Sequence, residues 1–318
     1  MDSQYDEIYT ERTSSMIFSR KNKNECSLLP FIREDIWGLD PKNGQFYGWE
    51  ISKFNIPKLW EKTKGENIKV AVIDTGCDFN HHDLKDNIIQ GVNFVSPGKE
   101  PMDRNGHGTH VAGTIAASDN NLGMVGIAPR AKIMPIKSLD DRGGGNLINV
   151  CKGIEWATDN GADVITMSLG AVYGDDKLQK AIAYAHKNNV LIFCAAGNSG
   201  ENSPIMYPAK YPETIAIGAI DMYLNRTKFT CVGEELDFLC PGQDILSCVP
   251  NNSYAKMSGT SMSNPFAAGY AALILSLNNI RISREDCINI IRRSVIDIGD
   301  LKYRSKKYQG YGIIIPKI

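Results

Sequence analysis

The sequence predicts an α/β fold, a mostly parallel central sheet with helices on both faces. Three observations carry this expectation. Short apolar runs rich in β-branched residues recur along the chain, as strands buried on both sides require. Helical patterns fall between them, the alternation expected of crossover connections. Turn residues close the runs, as in Asp74-Thr75-Gly76 and Gly197-Asn198-Ser199-Gly200.

Residues 1–44 form a polar lead-in with one apolar knot, Leu28-Leu29-Pro30-Phe31-Ile32, and are assigned to an N-terminal extension. Residues 45–318 form one domain, with no internal repeat or low-complexity linker. Within it, 48–60 is a docking arm anchored by Trp49, Ile51, Phe54, Ile56, Leu59 and Trp60. The first buried strand is 68–73, followed by strands at 133–136, 164–167, 190–196 and 214–220. Helices are expected at 109–117, 147–158 and 177–188. Past residue 219 come short strands at 236–239 and 245–248. A helix then opens at Ser261, with Pro265 in its first turn, where a missing N–H has no cost. A last helix spans about 284–293.

Composition narrows the function classes. The chain has 318 residues, 42% hydrophobic and 22% charged, with a formal net charge of -1. No Lys/Arg cluster is dense enough to follow a phosphate backbone, so no nucleic-acid partner is expected. The longest apolar runs are too short to span a bilayer, so no membrane partner is expected either. The acidic start Met1-Asp2-Ser3 lacks a secretion signal's basic-then-apolar pattern, which points to a cytoplasmic location. The eight cysteines show no CxxC pair and are expected to be reduced and structural.

Chemistry-bearing residues stand at element ends. Ser261, in Ser258-Gly259-Thr260-Ser261-Met262-Ser263-Asn264-Pro265, lies where free N–H groups and the positive dipole end meet its hydroxyl. Alone it would be a helix cap. Asp74 closes the first strand, and His107 stands in Asn105-Gly106-His107-Gly108-Thr109-His110 at the mouth of a small-residue helix. A serine hydroxyl becomes a nucleophile when an imidazole takes its proton and a carboxylate orients that imidazole. The side-chain amide of Asn198 can add a donor for the developing oxyanion, beside the Ser261 N–H. His110 is given a packing or hydrogen-bonding role, and His81 and His82 a surface loop.

These four segments, in this order, resemble the subtilisin-type serine proteases, from about residue 47 to residue 277. The absence of a folded propeptide and the Asn67-Ile68-Lys69-Val70-Ala71-Val72 lead-in resemble the intracellular subtilisins in particular. The resemblance implies a serine endopeptidase using Asp74, His107, Ser261 and Asn198 on polypeptide substrates. It implies that substrate binds as an added strand between Gly143-Gly144-Gly145 and Ser168-Leu169-Gly170. Met206 then lines the main specificity pocket, shortening it against large aromatic side chains. Structural calcium is implied at Asp83, Asn120 and Gln45 and the carbonyls of Ser118, Leu122 and Met124, oxygen donors suited to a hard cation. Leu28-Leu29-Pro30-Phe31 is similar to a family motif that lies across the cleft until proteolysis removes it, so residues 1–40 are expected to act as a removable inhibitor. A homodimer is a further implication. Ser263 and Phe266 depart from the family's alanine and histidine, without touching proton transfer. A dedicated processing protease and a peptide-binding pseudoenzyme are the alternatives; four intact positions argue against the second.

Overall fold

A computed structural model describes residues 23–36, 44–277 and 282–317. The remainder of the N-terminal extension before residue 44, residues 1–22 and 37–43, lies outside the described residues. The strands are β1 (Glu25–Leu28), β2 (Ile32–Ile36), β3 (Lys69–Asp74), β4 (Val92–Asn93), β5 (Lys132–Lys137), β6 (Gly144–Asn146), β7 (Val164–Met167), β8 (Leu169–Gly170), β9 (Leu191–Ala195), β10 (Ile215–Ile220), β11 (Leu236–Pro241), β12 (Ile245–Val249), β13 (Ser253–Ser258), β14 (Val295–Ile296) and β15 (Ile313–Ile314). The helices are α1 (Trp49–Lys53), α2 (Ile56–Trp60), α3 (His107–Ala116), α4 (Leu147–Asp159), α5 (Asp176–Lys187), α6 (Thr260–Ser276), α7 (Arg284–Arg292) and α8 (Lys306–Gln309).

Among the described residues, the main sheet has nine strands in the order β14-β15-β11-β10-β9-β7-β3-β5-β4. Its pairs are parallel except β14 with β15. Its central strands are buried along nearly their whole length, which is why they read as mainly apolar runs. Helices cover both faces. A Cβ at Gly153 of α4 would meet Ile73, while one at Gly108 of α3 would meet Asp74. Those neighbours are consecutive on β3, so their side chains point to opposite sides.

Local chemistry sets the helix starts. Asn146 and Asp175 each accept backbone N–H bonds as N-caps of α4 and α5. Gly106, at φ 102, makes the turn into α3. The docking arm is two short helices, α1 and α2, with Trp49 and Trp60 tied by their ring N–H to the carbonyls of Gln243 and Ile127.

Three expectations are corrected. The nucleophile helix starts at Thr260, so Pro265 is inside it and not in its first turn. Proline leaves the Ser261 carbonyl without its helical donor, and the Ser168 hydroxyl donates to that oxygen at 2.9 Å instead. His81 is not in an exposed loop: it is fully buried, and its ring packs at a tilt against half-buried His82 and edge-on against Tyr254. Polar histidines are held there because the Ser253 carbonyl and Tyr254 hydroxyl supply partners. Strand β13 had no place among the expected strands. It is the middle strand of β12-β13-β2, one of two further three-stranded sheets with β6-β1-β8, each containing one strand of the N-terminal extension.

Candidate active site

Asp74, His107, Asn198 and Ser261 converge at the carboxyl ends of the parallel strands, where such sheets open their crevice. The His107 Nδ1 lies 2.9 and 3.0 Å from the two Asp74 oxygens, with both side chains fully buried. A carboxylate there favours the Nδ1–H tautomer and leaves Nε2 as a base. Thr75 N–H adds a 2.7 Å bond to Asp74.

The His107 loop is fixed by Asp103, a residue the sequence reading missed. Its carboxylate accepts from Thr75 Oγ1, from the N–H groups of Asn105, Gly106 and Thr109, and from Thr109 Oγ1 at 2.6 Å. Burial pushes its pKa up, against these hydrogen bonds pulling it down. The Asp-x-Asn-Gly spacing was the available signal, since Asp accepts from backbone N–H groups two and three residues on. His110 is structural: its Nε2 lies 3.0 Å from the Ile245 carbonyl, and burial, with His107 nearby, pushes its pKa down to about 3.

Asn198 is oriented by the nucleophile helix. Its Oδ1 accepts from Thr260 N at 2.8 Å and Thr260 Oγ1 at 2.7 Å, which turns the Nδ2 donor into the cleft. There Nδ2 donates to the Pro30 carbonyl at 2.6 Å. Ser261 shares the site, yet its hydroxyl donates to the Ser168 carbonyl at 3.3 Å, while His107 Nε2 is buried without a hydrogen-bond partner. The two-link relay is therefore closed at Asp74–His107 and open at His107–Ser261. The Phe31 ring packs against the imidazole, centroids 5.0 Å apart.

The cleft-wall residues are brought together around the extension. Strand β1 lies antiparallel between β6 and β8, with Ser27 opposite both Gly144 and Gly170, and Cys26 opposite Gly145. Leu28 N–H donates to the Gly143 carbonyl at 2.8 Å and pairs with Leu169. Leu29 is fully buried against Ala195 and Met206. A Cβ at Gly170 would come within 2.5 Å of Leu29 and 3.3 Å of Met206, so glycine is needed for this approach. Met206 thus walls the pocket that Leu29 fills.

The calcium candidates also gather. Asp83 is buried and accepts from Met124 N–H and Tyr254 OH; Asn120 Nδ2 reaches it at 3.4 Å. Gln45 Nε2 donates to the Ser118 carbonyl at 2.8 Å and lies 3.5 Å from that of Met124. Amide N and O are interchangeable by a flip, so a cation drawing these carbonyls would turn the Gln45 oxygen inward. The all-oxygen donor set fits a hard cation, and Leu122 is tied to the group through its N–H, which donates to Asn120 Oδ1 at 2.9 Å. His81 and Cys248 lie near Asp83 as well. His81 Nδ1 accepts from Asp83 N–H and Nε2 faces the Ser253 carbonyl, which leaves neither nitrogen for a metal.

All eight cysteines are buried free thiols. Among the described residues, no helix is long and apolar enough to cross a membrane.

A doubly covered parallel sheet with a carboxylate–imidazole pair beside a helix-borne serine defines a serine hydrolase of the subtilisin class. The sequence model of the Subtilase family matches residues 65–312, and the chain belongs to that family. It is 44% identical over 246 residues to subtilisin DY of Bacillus licheniformis, covering 76% of this chain and 89% of the relative. It is 44% identical to the major intracellular serine protease of Bacillus subtilis (strain 168), covering 74% and 77%. It is 40% identical to the intracellular serine protease of Paenibacillus polymyxa, covering 83% of each chain. The protein is a subtilisin-like serine endopeptidase.

Proposed function

We propose that the protein is an intracellular, calcium-stabilised endopeptidase held inactive by its own N-terminal extension. Ser261 Oγ turns from the Ser168 carbonyl toward His107 Nε2, gives up its proton there and attacks the substrate carbonyl. Asp74 orients the imidazole and stabilises the cation that forms. Asn198 Nδ2 and the Ser261 N–H hold the tetrahedral oxyanion. His107 then protonates the leaving amine, and water hydrolyses the acyl-enzyme by the reverse proton path. The observation that carries this reading is a peptide carbonyl, that of Pro30, already bonded to Asn198 Nδ2 beside the Asp74–His107 pair.

The same contact supports the inhibitory role of residues 1–40. Leu29 fills the pocket, but the carbonyl at Asn198 belongs to the next residue. Proline lacks an N–H and fixes φ, so the Leu29–Pro30 bond is drawn past the nucleophile while Phe31 covers His107. Met206 leaves a pocket suited to leucine and closed to large aromatics. Asp83, Asn120 and Gln45, with the carbonyls of Ser118, Leu122 and Met124, hold calcium, which supplies a structural tie between the domain's N-terminal arm and this loop. Polypeptides are the substrates, the cytoplasm is the location, and self-association as a homodimer follows from the family resemblance.

A fluorophosphonate probe is expected to label the protein and to fail on Ser261→Ala. Mass measurement of incubated protein is expected to show N-terminal processing in the wild type and an intact chain in Ser261→Ala. Labelling that survives the substitution would overturn the mechanism. Equal activity of the full chain and one starting at Pro41 would overturn the inhibitory role. An unfolding temperature unchanged between chelator and excess calcium would remove the metal.

A further inference from the structure

The extension makes a second ladder beyond the cleaved-bond position. From the Pro30 carbonyl at Asn198, the chain passes Phe31 and continues as β2, antiparallel to β13, with Ile32 opposite Ser258 and Ile36 opposite Tyr254. Strand β12 covers the other edge of β13. Once β2 departs, β13 presents a row of main-chain donors and acceptors, which pairs readily with any extended chain.

Resting on the endopeptidase reading above, we propose that β13 is a substrate-binding edge. It pairs with the second to sixth residues after the cleaved bond and selects an acidic side chain at the fourth. Three observations support this. The ladder is continuous with the cleft in the direction a substrate must run, because β1 and β2 belong to one chain passing the nucleophile. The fourth residue after Pro30 is Glu34, which lies directly opposite Lys256, both exposed. Opposite charges across such a pair favour binding, and like charges oppose it. At the third position, Arg33 Nη1 donates to the Asn105 carbonyl at 3.2 Å and lies over Gly106, where an added Cβ would stand 2.9 Å away. That carbonyl gives a basic side chain a partner on the His107 loop. The favoured ligand is therefore an extended polypeptide with at least six residues beyond the cut and a basic-then-acidic pair at the third and fourth.

The test compares kcat/KM for peptides identical before the cut and carrying two, four or six residues after it. Rates are normalised to sites titrated by a fluorophosphonate probe after the full-chain protein has been incubated until mass measurement shows the extension removed. Lengthening from two to six residues is expected to raise kcat/KM about tenfold, the effect of a few added strand hydrogen bonds. N-methylation at alternate residues of one register is expected to abolish that gain, and of the other to leave it. Glu over Lys at the fourth position is expected to gain about fivefold, reversed in Lys256→Glu. Titrated enzyme whose kcat/KM is flat beyond two residues overturns the β13 edge while leaving the endopeptidase reading intact. A length gain with no response to Lys256→Glu overturns the acidic selectivity. Absence of any titratable site overturns both readings.

Discussion

The nine-stranded sheet and the two three-stranded sheets are built on different terms. Every strand of the large sheet comes from residues 69–314, and its centre is buried on both faces. Each small sheet has one strand from residues 25–36, with half-buried or exposed residues among its pairs. One sheet holds the molecule together; the other two are docking edges filled by the chain itself. The proposed function rests on that difference, because an edge that accepts an intramolecular strand can accept a substrate strand.

The strongest way to sharpen that contrast is to damage the large sheet. Phe193 is fully buried on β9, so Phe193→Ala is expected to cost about 3–5 kcal/mol in denaturant unfolding. A smaller global effect, of opposite sign, is expected at Glu50 on α1. Its carboxyl is buried with Oε2 unpartnered, and burial pushes its pKa up to about 7 from 4.5. A folded-state pKa raised in this way makes the contribution full below pH 4.5 and lost as pH rises through 7. Glu50→Gln should therefore leave stability at pH 4 unchanged and raise it at pH 8 by on the order of 3 kcal/mol, read as a flatter profile of unfolding temperature against pH.

Breaking the small sheets should change rate more than fold. A chain starting at Pro41 is expected to gain on the order of a hundredfold in initial peptidase rate, because a tethered strand competes at roughly millimolar effective concentration. Its large sheet should persist, with an unfolding temperature close to that of the full chain. Leu29→Ala removes the side chain filling the Met206 pocket and is expected to raise the initial rate about tenfold, by weakening the extension by one buried leucine. A deletion that melted the domain would make the extension a structural part and erase the contrast.

Much of the large sheet was legible in order. Segment 190–196 is a continuous apolar run, and 68–73 and 164–167 are apolar apart from Lys69 and Thr166, because both sides are buried. The four candidate positions that the structure brings together stood out in the sequence because strand-end and helix-start residues carry small-residue turns around them. Strands β1, β2, β6 and β13 were not. Gly144-Gly145-Asn146 and Ser253–Ser258 have little strand propensity of their own, and each pairs with residues more than a hundred positions away. Asp103 carried only a local signal, the turn spacing to Asn105 and Gly106; its bonds to Thr75 and Thr109 exist only once the loop is folded.

The amino-acid order by itself determined the alternation of buried strands and helices, and with it which ends carry aspartate, histidine, asparagine and serine. Tertiary structure alone decided that Ser261 faces the Ser168 carbonyl, that Asn198 holds the Pro30 oxygen, and that the extension completes two sheets. The reason is physical: burial patterns are written residue by residue along a chain, whereas the partner of an open strand edge or a free hydroxyl is fixed by what else competes for it in space.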